Sequence, residues 1–125
     1  MAIDYSNVFK AFEENASPPE AKQMSAYMRD KFPFLGIPTP KRKALSRDLL
    51  KAAKTSRTVD WAFVSKCWKR PEREFQYLAV NYLDAAKDIL VPGDVEKLRK
   101  FALAKSWWDT IDGLDKVVGH IAFKY

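Results

Sequence analysis

The chain has 125 residues, 47% hydrophobic and 30% charged, with 22 Lys and Arg against 16 Asp and Glu for a net charge of +6. That length and balance predict one soluble globular domain with a single core. They exclude a membrane-spanning helix, because no apolar run exceeds four residues.

The first residues show neither the basic nor the apolar region of a secretory signal. Cys67 is the sole cysteine, so no internal disulfide is available and a reducing, cytoplasmic compartment is expected. His120 is the sole histidine. The common zinc patterns are therefore unavailable, and no metal or cofactor is expected.

Asp4 to about Asn15 reads as a first helix, with Tyr5, Val8, Phe9 and Phe12 at helical spacing. Ser17-Pro18-Pro19-Glu20 reads as a capped helix start, opening a second helix to about Lys31. Met24, Tyr27 and Met28 lie on one of its faces, and Tyr27 taken alone is a hairpin-core residue. Phe32 to Pro38 is too proline-rich for a helix and too apolar to hang in solvent. Thr39-Pro40 starts a third helix, with Leu45, Leu49 and Ala52 inward and Lys43, Arg47, Lys51 and Lys54 on a separate stripe.

A fourth helix runs from Thr58 or Val59 to Lys69, broken by Arg70-Pro71. Glu72-Arg73-Glu74 begins a fifth, with Phe75, Leu78, Ala79, Tyr82 and Leu83 apolar. Pro92-Gly93-Asp94 separates it from a sixth, Val95 to about Ala104. A seventh follows from Ser106, with Asp109 completing a capping box. No segment alternates at period two, so no sheet is expected. Seven helices with short linkers predict an all-α fold of HEAT-like helical-hairpin repeats, part of a right-handed superhelical solenoid. A compact orthogonal bundle is the alternative.

Charge is concentrated. Between Lys41 and Arg57 seven cations face only Asp48, which equals the whole-chain excess. Such a patch suits a polyanion, nucleic acid before membrane, although a solvated face has the same composition. In the last helix Trp107, Ile111, Leu114, Val118 and Ile121 form a packing stripe. Trp108 and Asp112, four residues apart, share another face. Large aromatics are ordinarily core residues, and Trp107 fits that role. An indole off the stripe suits stacking on a base or packing on a sugar.

Asp112 alone reads as a solvated carboxylate or a partner for Lys116, Asp109 as a cap, and His120 as a surface residue. Together, a carboxylate and an indole suit cleavage of the N-glycosidic bond of a cationic alkylated purine. Such a base leaves neutral without a general acid, and a fixed carboxylate stabilises the oxocarbenium ion formed on the sugar. An indole face adds cation–π attraction.

Three blocks carry a resemblance. Lys105 to Asp112 resembles the site segment of AlkD-type DNA alkylation-repair glycosylases. Ala26 to Arg29 followed by Phe32 to Pro40 resembles their amino-terminal signature, and Arg70 to Gln76 resembles a third family block. The resemblance implies HEAT-like repeats around double-stranded DNA, and excision of cationic N3- and N7-alkylpurines without a metal or a deep base pocket. It implies that Asp112 and Trp108 are catalytic and that Tyr27 lines the same cleft. Thr39, Lys43, Arg47, Lys51 and Lys54 are grouped with the DNA-binding side chains.

The family architecture is longer, its second half adding an arginine and a further tryptophan to the cleft. Residues 1–125 therefore correspond to a single domain forming its amino-terminal half. A catalytically silent module that binds nucleic acid or protein is the alternative. The terminal helix, with Val117, Val118, Ile121 and Phe123, is expected to expose an apolar surface for self-association or a partner.

Overall fold

The computed structural model describes residues 5–125. Among these the regular structure is entirely helical: α1 (Ser6–Glu14), α2 (Pro18–Tyr27), α3 (Thr39–Leu45), α4 (Arg47–Thr55), α5 (Trp61–Lys69), α6 (Arg73–Ala85), α7 (Val95–Leu103) and α8 (Trp108–Lys124), with two short 3-10 turns between α6 and α7. Asp4, given to the first helix by the sequence, lies outside the described residues. The helices stack as in a solenoid. Helix α5 packs on α6 and α7 on α8, while α6 also contacts both α4 and α8. This puts α4, α6 and α8 side by side in one layer, with α5 and α7 behind them.

Helix α6 is the axis of the core. Phe75, Leu78, Ala79, Tyr82 and Leu83 form one buried stripe, and with Arg73, Glu74, Gln76 and Val80 also buried the covered positions extend over most of the cylinder. Phe75 meets Phe9 edge-on at 4.9 Å and Phe12 at 5.6 Å, which seats α1. Opposite the core, α6 leaves a narrow stripe of Tyr77, Asn81 and Asp84, three or four residues apart and not buried. The layer carrying that stripe also holds α4 and α8. Gly113 lets α8 approach closely, since a Cβ there would stand 2.5 Å from Val80 Cγ1.

Several expectations shift. Helix α2 ends at Tyr27, not Lys31, because Arg29 and Asp30 turn left-handed (φ 56° and 57°). The predicted cap at Ser17 forms no side-chain hydrogen bond; its amide instead donates to Leu35 O at 2.8 Å. The single helix expected after Thr39 is two. Ser46 Oγ bonds back to Arg42 O at 3.0 Å, and the break resets the phase, so Ala53 is buried and Ala52 exposed.

The apolar connector is folded against the protein. Gly36 has φ 95°, and a Cβ there would lie 2.1 Å from Ser17 O, so only glycine fits. Helix α8 starts at Trp108 with no capping box, which overturns the expected roles of Ser106 and Asp109. Its terminal half buries Val117 and Ile121, leaving Phe123 (92% exposed) and Tyr125 outside. The expected apolar surface is thus smaller than the sequence implied.

Candidate DNA-facing site

Two adjacent charged residues at the start of α6 organise the site. Glu74, 1% exposed, accepts the backbone amides of Leu35 (2.9 Å), Gly36 (2.9 Å) and Ile37 (3.1 Å). Three orphan donors of the connector are satisfied by one carboxylate. Arg73, with no exposed surface, reaches the other way. Its Nε donates to Asp109 Oδ2 at 2.9 Å and its Nη2 to Asp109 Oδ1 at 2.6 Å. It also donates to Lys105 O (2.8 Å) and Thr110 Oγ1 (2.9 Å), with its guanidinium 3.8 Å over the Phe32 ring. The Tyr77 hydroxyl adds a 2.5 Å bond to Asp109 Oδ2.

Burial alone would raise the pKa of Asp109. The hydrogen bonds from Arg73 and Tyr77 outweigh it and hold the carboxyl below the ordinary carboxylate range. Burial, then the bond to Asp109, pushes the Tyr77 hydroxyl upward. Asp109 is therefore the ionised centre of a structural network.

Above this network stands the open face. Trp108 is 51% exposed and Tyr27 75% exposed. Their rings meet edge-on with centroids 6.4 Å apart, so Tyr27 belongs to an aromatic pair at the surface and not to a hairpin core. Asp112, one turn beyond Trp108, is exposed and among the described residues has no ion pair, including none with Lys116. His120 turns away to Asp88, its Nε2 2.9 Å from Oδ1. Trp107 was expected in the core, yet it lies outside the core cluster. It is half-buried under the Lys31 ammonium at 4.6 Å.

Lys43, Arg47, Lys51 and Lys54 converge on one groove of about 450 Å³ beside Asn81 and Asp84 of α6. Thr39 does not join them; it lines a separate cavity with Tyr27 and Arg42. Arg42, counted in the basic patch by sequence, is 7% exposed and stacked 4.8 Å over the Tyr77 ring. Among the described residues no cluster of His, Cys, Asp and Glu could hold a metal, and no helix is long and apolar enough to cross a membrane.

Arg73, Tyr77 and Arg42 were missed by sequence reasoning. The available signal was a charged pair, Arg73-Glu74, at the start of an apolar helix, where burial demands partners.

Fold and site together describe an all-helical protein presenting an aromatic and acidic face next to a basic groove. A family model of DNA alkylation repair enzymes matches residues 8–125. A solved structure described as a predicted DNA alkylation repair enzyme from Enterococcus faecalis is 32% identical, with a TM-score of 0.80. That match covers 87% of this chain and 52% of the other, so the chain spans about half the length of that protein. No curated protein matches significantly. The chain belongs to the family of DNA alkylation repair enzymes.

Proposed function

We propose that this chain is a DNA repair glycosylase, or the amino-terminal part of one, excising cationic N3- and N7-alkylated purines from duplex DNA. In this reading residues 1–125 form one HEAT-like unit. The observation that carries it is the Trp108–Tyr27 pair open to solvent, with the exposed carboxylate of Asp112, which has no ion pair among the described residues, one turn away. The alkylated base departs neutral, so the residues have to stabilise the positive charge left on the sugar until a water molecule adds at the anomeric carbon and gives its proton to solvent. Asp112 does so electrostatically, and the Trp108 ring holds the sugar through its negative face. The groove of Lys43, Arg47, Lys51 and Lys54 takes phosphates of the duplex.

The test is incubation of the chain with methylated duplex DNA, with released 3-methyladenine and 7-methylguanine measured directly. A second reading is a catalytically silent module that binds nucleic acid or protein, which the convergence of Lys43, Arg47, Lys51 and Lys54 on one groove would serve equally. Duplex binding with no released base would select it. Phe123 and Tyr125 offer a surface for self-association or a partner, and a strict monomer in sedimentation at high concentration would remove the self-association reading.

A further inference from the structure

A second groove, of about 610 Å³, lies between α5 and α7 in the layer behind α4, α6 and α8. Its volume is within the usual range of ligand sites, roughly 300–1,000 Å³. It shares no residue with the groove of Lys43, Arg47, Lys51 and Lys54 or with the Trp108–Tyr27 pair. The proposed excision uses none of it.

Floor and rim differ in chemistry. Trp61 and Phe101 stand parallel, with 3° between their planes and 6.4 Å between centroids, and Trp68 tilts against Phe101 at 5.3 Å. Trp68 Nε1 donates to Ala104 O at 2.9 Å, so that indole spends its one donor inside the protein. Around this aromatic floor stand Lys69, Lys97, Lys100 and Lys105, and no carboxylate among the described residues lines the groove.

Two of these cations already have partners. Lys105 Nζ donates to Trp68 O and, at 2.8 Å, to Arg70 O, which closes the end of α5. Lys97 Nζ lies 3.7 Å from Asp94 Oδ1 and 4.9 Å over the Trp61 ring. Lys69 and Lys100, on opposite walls, are exposed and have no ion pair among the described residues. Two open charges beside an apolar floor complement a ligand that is both anionic and apolar.

A nucleic-acid strand and an acidic peptide both carry the charge. A strand stacks its bases on open ring faces. Here the rings serve one another: Lys97 lies over Trp61, and Phe101 meets both tryptophans. Trp68 is buried and Trp61 and Phe101 are half-buried, unlike the open Trp108, which leaves little face for a base. Ring edges carry the positive part of the aromatic quadrupole, so they suit carboxylate oxygens, and aliphatic groups pack against them.

We propose that the α5–α7 groove docks an acidic peptide segment of a partner protein. An aliphatic side chain sits on the Trp61–Phe101 floor, and flanking carboxylates pair with Lys69 and Lys100. Because this layer lies behind α4, α6 and α8, the segment and duplex DNA bind together. The docking does not rest on the excision reading; the joint binding rests on the basic groove facing DNA.

The experiment follows fluorescence anisotropy of a labelled peptide, leucines flanked by aspartates, titrated with the full chain. Saturable binding is expected. A peptide with serines in place of the leucines, and labelled oligothymidylate, should each bind about tenfold or more weakly, the value of one buried leucine. Lys69→Glu combined with Lys100→Glu should weaken the leucine peptide by a similar factor through like-charge repulsion. Its melting curve should be unchanged, since neither lysine has an ion pair to lose. Should that variant not fold, broadening of the Lys100 and Phe101 amide signals by a spin-labelled peptide tests the same placement on the unaltered chain.

Absence of saturable binding, equal affinity for the serine peptide, an unaffected double variant, or broadening elsewhere would each overturn the docking site. Oligothymidylate binding more tightly than the leucine peptide, and lost in the same variant, would make the groove a nucleic-acid site instead. Displacement of the peptide by duplex DNA would overturn the joint binding. A chain that excises but binds no peptide loses the groove and keeps the glycosylase reading. One that binds the peptide through Lys69 and Lys100 without excising does the reverse.

Discussion

Arg73 and Asp109 form a buried, two-pronged ion pair, Nε to Oδ2 at 2.9 Å and Nη2 to Oδ1 at 2.6 Å, joining the start of α6 to the start of α8. Because α8 carries Trp108 and Asp112, this pair fixes the attitude of the open face from below. Substitution of Asp109 would leave a guanidinium buried with its main partner gone. Asp109→Asn is therefore expected to destabilise the fold by about 3–5 kcal/mol, the typical cost of breaking a buried pair. Chemical denaturation measures it. A loss below about 1 kcal/mol would show the network to be dispensable.

The same carboxyl predicts a pH dependence. Its folded pKa is depressed, so the stability it contributes is present above the unfolded value, about 3.9, and drains as pH falls through the folded value. Thermal unfolding followed from pH 6 downward should show the melting temperature falling below about pH 4. Asp109→Asn should flatten that fall. Parallel curves for the two proteins would assign the acid sensitivity to other groups.

The basic groove predicts a salt effect. Each phosphate contact contributes about 0.9 to the slope of log affinity against log salt on duplex DNA. Replacing Lys43, Arg47 and Lys51 together by Gln should weaken duplex binding and make that slope shallower. An unchanged slope would mean that the groove of α3, α4 and α6 faces no phosphate.

Asp112 and Asp109 should separate cleanly. Asp112 is exposed and unpaired among the described residues, so Asp112→Asn should spare stability. On the proposed mechanism it should lower excision by about 10²–10³, as removal of one well-placed electrostatic stabiliser does. Excision assays and melting curves on both variants decide the matter: full excision by Asp112→Asn, or its unfolding, would make Asp112 a structural residue.

The sequence by itself determined most of the helices, the family blocks and the singling out of Trp108, but not the break at Ser46 or the early end of α2. What it determined are local properties. Helical spacing of Phe9 and Phe12, prolines at 18 and 40, and the absence of period-two alternation are written along the chain, and local geometry enforces them. An indole placed off the apolar stripe of its own helix was legible for the same reason.

Only the tertiary structure decided what the charged and aromatic side chains meet. Asp109 is three residues from Ser106 and looked like its cap, but a guanidinium thirty-six residues away offers two charge-assisted bonds, which outweigh one local backbone contact. Tyr27 looked like core until the left-handed turn at Arg29 and Asp30 ended its helix, leaving its ring beside Trp108. Arg42 looked like one cation among seven. Its burial under Tyr77 follows from the break at Ser46 and from the connector that Glu74 pins down. Periodicity places a residue on a face of its own helix; which foreign side chain covers that face is set by packing between helices, and a single sequence does not encode that in any local pattern.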